Sequence, residues 1–212
     1  ERYKDEEIKN LRWEASKNEI ELNKLKSQLN PHFIFNSMNI IRALVDEDPV
    51  KAKKSITQLS NILRKTLQMG KHKTVSFEDE MKVVMDYLEL EKARFEERLV
   101  CESDIAPGSE KFQVPVLMIQ TLVENGIKHG ISQLPNGGKL ILSTEIHEDC
   151  LHIRITNSGK LKSLKSKDSG FGLVNTKQRL QLLYGSNASL KIEDLNNGTV
   201  ATDVVIPKNL IL

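Results

Sequence analysis

The sequence predicts a chain of two parts, a helical region followed by a domain of mixed α-helices and β-strands. The spacing of apolar residues is the main observation, because it follows helical periods up to about residue 69 and alternates like strands after about residue 99. The alternating segments come in pairs joined by short polar turns, as in antiparallel hairpins. We therefore expect a multidomain fold, α-helical first and then an α+β sandwich.

The first helical segment is predicted to be a coiled coil. Its apolar residues recur in alternating steps of three and four, at Ile8, Leu11, Ala15, Leu22, Leu25 and Leu29, with Asn18 as the polar residue of the seam. A single amphipathic helix packed against its own protein is the alternative interpretation. Pro31 interrupts the pattern, because proline removes a backbone donor and clashes with the preceding turn.

After Pro31 the pattern predicts an antiparallel helical hairpin. One helix runs to about Asp46 and the next covers about residues 50–69, with the short connection Glu47-Asp48-Pro49 between them. The two apolar stripes are Ile34, Met38, Ile41 and Val45, and Ala52, Ile56, Leu59 and Leu63. Two hairpins, one from each chain of a homodimer, would bury these stripes as a four-helix bundle.

The polar segment from Gly70 to Thr74 is the predicted domain boundary. Residues 1–72 are assigned to the coil and hairpin, and residues 73–212 to the second domain. That domain should contain a helix over 76–97 capped by Ser76, a strand over 99–105, a helix over 116–130, a hairpin over 139–156, a helix over 172–184 and a hairpin over 189–206. We expect one layer of helices on one sheet of mostly antiparallel strands.

Composition excludes several classes of function. The net charge is +2 and no basic block occurs, so direct binding of nucleic acid is not expected. The apolar runs are far shorter than the roughly 18 residues that span a bilayer. Two cysteines, Cys101 and Cys150, form no disulfide framework, which favours a reducing compartment. His147, Cys150 and His152 lie close together, but a turn separates the first from the others and no fourth zinc ligand follows.

The helix over 116–130 separates into an apolar and a polar face. At about 100° per residue, the apolar face carries Val116, Ile119, Leu122, Val123 and Ile127, and the polar face carries Thr121, Glu124, Asn125 and Lys128. An amide oxygen suits a hard cation and a lysine suits phosphate, so this face has the groups that a magnesium nucleotide needs. An ordinary solvated helix face is the alternative.

A glycine-containing segment, Ser169-Gly170-Phe171-Gly172-Leu173, precedes the helix over 172–184. Two glycines before a helix let backbone N–H groups approach phosphate oxygens, although a simple turn has the same composition. The preceding residues, 160–169, are rich in lysine and serine and are interpreted as a lid over a nucleotide, with a plain loop as the alternative.

Three strings together resemble sensor histidine kinases of the LytS/YehU type. They are the string from Asn30 to Asn36 (NPHFIFN), which is similar to the phosphoacceptor box; the string from Leu122 to Gly130 (LVENGIKHG), which is similar to the N box; and Ser169 to Leu173, which is similar to the second glycine box. The resemblance implies a Bergerat-type ATP-binding domain, with His32 as phosphoacceptor and Asn125 as the Mg²⁺ ligand. It also implies that Lys128, His129, Gly170, Gly172, Leu173, Arg179 and Thr199 lie at the nucleotide.

The adenine end departs from the family. Where the family has Asp-Asn-Gly-x-Gly, this chain has Asn157-Ser158-Gly159, so Asn157 offers the adenine amino group an uncharged acceptor. The catalytic base is also open. His32 is followed by Phe33 instead of an acidic residue, and Glu124 is the nearest candidate, although it could equally be a surface carboxylate.

The resulting hypothesis is a homodimeric, ATP-dependent and Mg²⁺-dependent protein-histidine kinase. The resemblance implies transfer of the phosphoryl group to an aspartate of a response regulator, often one of the LytTR type. Because the chain opens within a coiled-coil pattern, we expect it to belong to a longer receptor at the cytoplasmic side of the bacterial inner membrane. A Bergerat-fold ATPase or serine kinase and a degenerate kinase acting as a dimeric scaffold are the alternatives.

Overall fold

The helical hairpin forms as the sequence predicts. The structure is a computed structural model that describes residues 31–161 and 171–209, so the predicted coiled coil lies outside the described residues. Helix α1 (Pro31–Glu47) and helix α2 (Pro49–Met69) are antiparallel neighbours. The side chain of Asp48 accepts a hydrogen bond of 3.0 Å from the backbone N–H of Lys51, which caps α2, and Pro49 occupies the first turn.

The second domain is one layer of helices on a five-stranded sheet, and this confirms the predicted fold class. Its helices are α3 (Phe77–Phe95), α4 (Met118–Asn125) and α5 (Phe171–Tyr184). Its strands are β1 (Thr74–Ser76), β2 (Leu99–Asp104), β3 (Gln113–Pro115), β4 (Gly138–His147), β5 (Cys150–Ser158), β6 (Ser189–Asp194) and β7 (Thr199–Pro207). The sheet has the strand order β2-β4-β5-β7-β6.

Alternation along the strands decides which face of the sheet meets the helices. The large apolar side chains that the central strands bury are Leu140, Leu142, Leu151, Ile153, Ile155, Val200, Val204 and Ile206. The opposite face is polar and carries an ion pair in which Arg154 Nε lies 2.6 Å from Asp203 Oδ1. The core therefore lies between one face of the sheet and the apolar sides of the helices.

Two pairings in the second domain were not expected from the sequence. Strand β1 pairs antiparallel with β3 in a separate small sheet, and β2 pairs parallel with β4. Pro115 therefore ends a strand. Leu117, with φ of 58°, turns the chain so that α4 begins at Met118 instead of Val116. The α-helix ends at Asn125, and a wider π-helical turn covers Gly126–Gly130.

The hairpin packs against α3, which belongs to the second domain. Lys54 Nζ lies 3.0 Å from Glu89 Oε2, and Lys65 Nζ lies 2.8 Å from Asp86 Oδ2. The ring centroids of Phe33 and Tyr87 are 5.1 Å apart. The hairpin and the second domain thus share part of one core, while the assignment of residues 1–72 to a separate domain stays a prediction.

The packed faces of the hairpin differ from the predicted stripes. On α1 the buried side chains include Phe33, Ser37 and Ile41, whereas Met38 and Val45 are 54% and 51% exposed. The buried residues of α2 are Ala52, Ser55, Leu59, Ile62, Thr66 and Met69, at heptad spacing. Part of each predicted stripe faces outward because α3 covers a neighbouring face. None of the helices described is long and apolar enough to cross a membrane.

Candidate active site

The turn after α4 and the end of β5 meet by direct contact of backbone and small side chains. A Cβ atom added to Gly130 would overlap the amide nitrogen of Asn157, and one added to Gly126 would lie 3.0 Å from Asn157 Oδ1. Gly159 has φ of 133°, and a Cβ there would lie 2.7 Å from Gly130 Cα. Only glycine permits this approach. The structure therefore brings together the strings at 122–130 and 157–159.

The other two motif segments flank the same region. The backbone N–H of Gly159 donates to the carbonyl of Gly198 at 2.8 Å, and Ser158 pairs with Thr199 across β5 and β7. On the far side of α4, a Cβ added to Gly172 would lie 3.2 Å from Thr121 Cγ2 and 3.8 Å from Asn125 Nδ2. Gly170 lies outside the described residues.

The two predicted asparagines differ in how their amides are used. Asn157 is buried, and its Nδ2 donates to the carbonyl of Ser158 at 3.0 Å. The Nδ2 atom of Asn125 is buried with no hydrogen-bond partner in the described ranges. A buried polar atom without a partner is costly, so this N–H group is suited to a ligand acceptor such as a nucleotide oxygen. The Nδ2 atom itself cannot bind a cation, but the oxygen of the same amide is the kind of ligand that Mg²⁺ prefers, and this agrees in chemistry with the role that the family resemblance implies.

Two cavities separate the hairpin from the polar face of α4, and Glu124 lines both. The first cavity, of about 180 Å³, is bordered by Ile62 and Thr66 of the hairpin and by Thr121 and Arg179 of the second domain. The second cavity, of about 230 Å³, lies beside the first turns of α1. Its polar lining includes Asn36, Glu91, Arg94, Glu124 and Lys128.

The remaining predicted residues take varied positions. Lys128 is exposed, whereas His129 and Leu173 are half-buried. The Arg179 guanidinium donates to the carbonyl of Val116, so part of its hydrogen-bonding capacity is used inside the protein. The backbone N–H of Thr199 donates to Asn197 Oδ1 at 3.1 Å. His32 lies in the first turn of α1, and its side chain is outside the description.

Comparison with known proteins shows which family the chain resembles in sequence. Residues 20–99 match the histidine kinase family. The sensor protein LytS of Staphylococcus saprophyticus is 35% identical over 204 residues, which cover 91% of this chain and 34% of that protein. The sensor protein LytS of Staphylococcus haemolyticus is 36% identical over 198 residues, which cover 87% of this chain and 34% of the relative.

The chain belongs to the histidine kinase family. The resemblance to the LytS type is confirmed, since similar proteins named sensor protein LytS align with most of the chain. The chain spans about a third, 34%, of the length of these curated relatives.

Solved histidine kinases share the fold. The histidine kinase domain of the blue-light activated kinase EL346 from Erythrobacter litoralis aligns with a TM-score of 0.52 at 13% identity, over 88% of this chain and 93% of that one. A catalytic domain of the histidine kinase ThkA aligns with a TM-score of 0.50 at 15% identity, over 65% of this chain and 99% of that one. At such low identity the likeness concerns the fold alone.

One buried carboxylate that the sequence analysis missed fixes the start of α4 in this member of the histidine kinase family. Glu80 of α3 is fully buried, and it accepts hydrogen bonds from the backbone N–H groups of Leu117 at 2.8 Å and Gln120 at 3.2 Å. Burial raises the pKa of Glu80 to about 7, although the backbone donors and Arg179 oppose the shift. The sequence does contain a signal for this residue, because Glu80 is a carboxylate at the spacing of the apolar stripe between Phe77 and Val84.

The buried Glu80 should make stability depend on pH. Between the ordinary glutamate pKa of 4.5 and the folded pKa of about 7, the folded chain holds more protons than the unfolded chain, so stability falls as pH rises through this window. Glu80→Gln lacks this titration. From pH 5 to 8 we expect the wild type to lose on the order of 3 kcal/mol of unfolding free energy relative to the variant.

Urea denaturation at several pH values measures this difference. Glu97→Gln is the matched control, because Glu97 is an exposed glutamate just beyond the same helix, and its profile should run parallel to that of the wild type. A Glu80→Gln profile parallel to the wild type would contradict the assignment.

Proposed function

We propose that this chain is an ATP-dependent protein-histidine kinase in which His32 accepts the phosphoryl group. The observation that carries the proposal is the second cavity, because α1 and the N box both line it. Asn36 stands one helical turn beyond His32, and Asn36, Glu124 and Lys128 border the same space. A phosphoacceptor in the first turn of α1 would therefore lie next to the residues that handle phosphate.

The nucleotide is proposed to bind along the N box and the end of β5. Asn125 would hold Mg²⁺, with Lys128 and His129 near the phosphates. Asn157 and Gly159 would meet the adenine, and Gly170, Gly172, Leu173, Arg179 and Thr199 would close the remaining sides. Two observations support a ligand here: the buried amide nitrogen of Asn125, which has no partner among the described residues and can donate to a nucleotide oxygen, and the glycine contacts around Asn157. When bound, MgATP supplies the γ-phosphoryl group and the charge of the cation.

The chemistry requires a neutral imidazole. A histidine with the ordinary pKa of about 6.5 is mostly neutral at physiological pH. A ring nitrogen can therefore attack with its lone pair. A nitrogen–phosphorus bond then replaces the phosphorus–oxygen bond to the departing ADP. The proton displaced from the other ring nitrogen would pass to Glu124, the carboxylate that lines both cavities. Positioning and neutralisation of charge contribute most of the acceleration in such transfers.

We further propose that the chain works as a homodimer and passes its phosphoryl group to an aspartate of a response regulator. The relatives are named sensor proteins, and the resemblance implies a regulator of the LytTR type. The outward stripe of Met38 and Val45 on α1, with Ile56 on α2, offers an apolar surface for the partner hairpin.

The phosphoacceptor is tested by labelling with γ-labelled ATP and Mg²⁺. We expect label in a bond that is stable to alkali and lost in acid, as in phosphohistidine. His32→Gln should abolish the label and leave ATP binding intact, because the nucleotide residues belong to the second domain. His72→Gln, an exposed histidine near the domain boundary, is the control and should label normally.

The alternatives give different outcomes in the same experiment. Acid-stable label, or full labelling of His32→Gln, would favour a serine kinase. A wild-type chain that binds no nucleotide would favour a dimeric scaffold.

The metal role of Asn125 is tested by calorimetry with ATP in the presence and absence of Mg²⁺. Asn125→Ala removes the proposed oxygen ligand and should weaken Mg²⁺-dependent binding at least about tenfold, which corresponds to roughly 1.4 kcal/mol. Asn136→Ala, in the exposed turn before β4, should bind like the parent. Equal binding by Asn125→Ala and the parent would show that Asn125 is not the ligand.

The dimer is tested by light scattering across a dilution series. The double variant Met38→Glu/Val45→Glu places charge on the outward stripe and should move dissociation to higher concentration, because burying unpaired carboxylates is costly. Leu182→Glu changes a more exposed apolar residue of α5 and should leave the dimer intact. A wild type that is monomeric at roughly tens of micromolar would contradict the proposal.

A further inference from the structure

The face of α3 that meets the hairpin carries an ion pair with no part in the proposal so far. Tyr87, Glu91 and Arg94 follow one another at intervals of one helical turn, and the Tyr87 ring contacts, at a tilt of 46°, the ring of Phe33, the neighbour of His32. Glu91 is only 4% exposed. Its Oε2 lies 3.2 Å from Arg94 Nη1. Both side chains line the second cavity, beside the start of α1.

Arg94 is held where a phosphoryl group would arrive. Its side chain lines the second cavity together with Asn36, Glu124 and Lys128. The guanidinium carbon lies 4.8 Å from the ring centroid of Phe95, a buried side chain that restricts its orientation. A guanidinium has five N–H donors in a planar fork, and the contact with Glu91 uses only part of that capacity.

We propose that Arg94 is a further catalytic residue, whose guanidinium binds and neutralises the phosphoryl group as it passes to His32. This inference rests on the proposed kinase function. The transferred group spreads negative charge over three oxygens, and Lys128 is the only N-box cation among the residues that line the second cavity. Two parallel N–H donors of Arg94 would match two of those oxygens.

The pairing with Glu91 suits such a role. Burial raises the pKa of Glu91, and Arg94 opposes that shift. If an arriving phosphoryl group draws the guanidinium away, the carboxyl group can take up a proton instead of remaining as a buried charge. Arg94 itself makes no bond to phosphorus: the nitrogen–phosphorus bond to His32 forms, ADP leaves with the electrons of the broken bond, and the ring proton passes to Glu124.

The first arm of the test compares Arg94 with Arg98, because both guanidinium groups lie over the ring of Phe95. Arg98 also lies over Phe95, at 5.8 Å, but it borders a different cavity, so Arg98→Gln loses a ring contact without changing the proposed site. We expect Arg94→Gln to slow labelling of His32 at least about 100-fold, in keeping with the effect of a catalytic arginine. Its MgATP affinity, measured by calorimetry, should stay within about threefold, and Arg98→Gln should label at the wild-type rate.

The second arm separates catalysis from a structural ion pair. Arg94→Gln leaves Glu91 buried without its cation and should lower the urea midpoint of unfolding, whereas Glu91→Gln/Arg94→Gln removes both charges and should restore it. If Arg94 is catalytic, labelling stays slow in the stable double variant. Recovery of labelling together with stability would overturn the inference.

The failure of this inference differs from the failure of the proposed function. Normal labelling of Arg94→Gln would remove Arg94 from catalysis and leave the kinase proposal standing. No labelling of the wild-type chain would instead remove the kinase proposal itself.

Discussion

The close approach between the turn after α4 and the end of β5 determines where the motif residues can lie. A side chain at any of three glycines would crowd neighbouring atoms at this contact: Gly126, Gly130 and Gly159. The side chain of Asn157 lies against Gly126 and Gly130 instead. Because the turn is π-helical, it is wider than the α-helix before it and directs the backbone toward the sheet. Asn125, the last residue of that helix, directly precedes this contact, and its Nδ2 lies near Gly172 in the first turn of α5.

Helix α3 links this region to the hairpin. Its first turns hold the N-terminus of α4 through Glu80, and its later turns carry the ion pairs to α2 and the tilted aromatic contact with Phe33. One rigid helix thus contacts both the element that bears His32 and the element that bears Asn125. The hairpin and the N box therefore share α3 as a packing partner.

Local periodicity in the sequence predicted most elements and the buried face of α4, where Ile119, Leu122 and Val123 have almost no exposure. It could not predict pairings between distant segments, such as β1 with β3, because a period describes one strand and not its neighbour. Nor could it tell which stripe of the hairpin α3 would cover. The motif strings supplied the residues that are proposed to bind the nucleotide, whereas Glu80 and Arg94 stand out only through their tertiary contacts.

The contact between the rings of Phe33 and Tyr87 depends on the rotation of α1 about its own axis. An α-helix advances about 100° per residue, so a twist of α1 by a fraction of that amount would carry Phe33 off the Tyr87 ring. The backbone of His32 would swing with it, since the two residues are adjacent. A rotation at the start of α1 would therefore change the aromatic contact and the position of His32 together, without any change in the distance between the two halves of the chain.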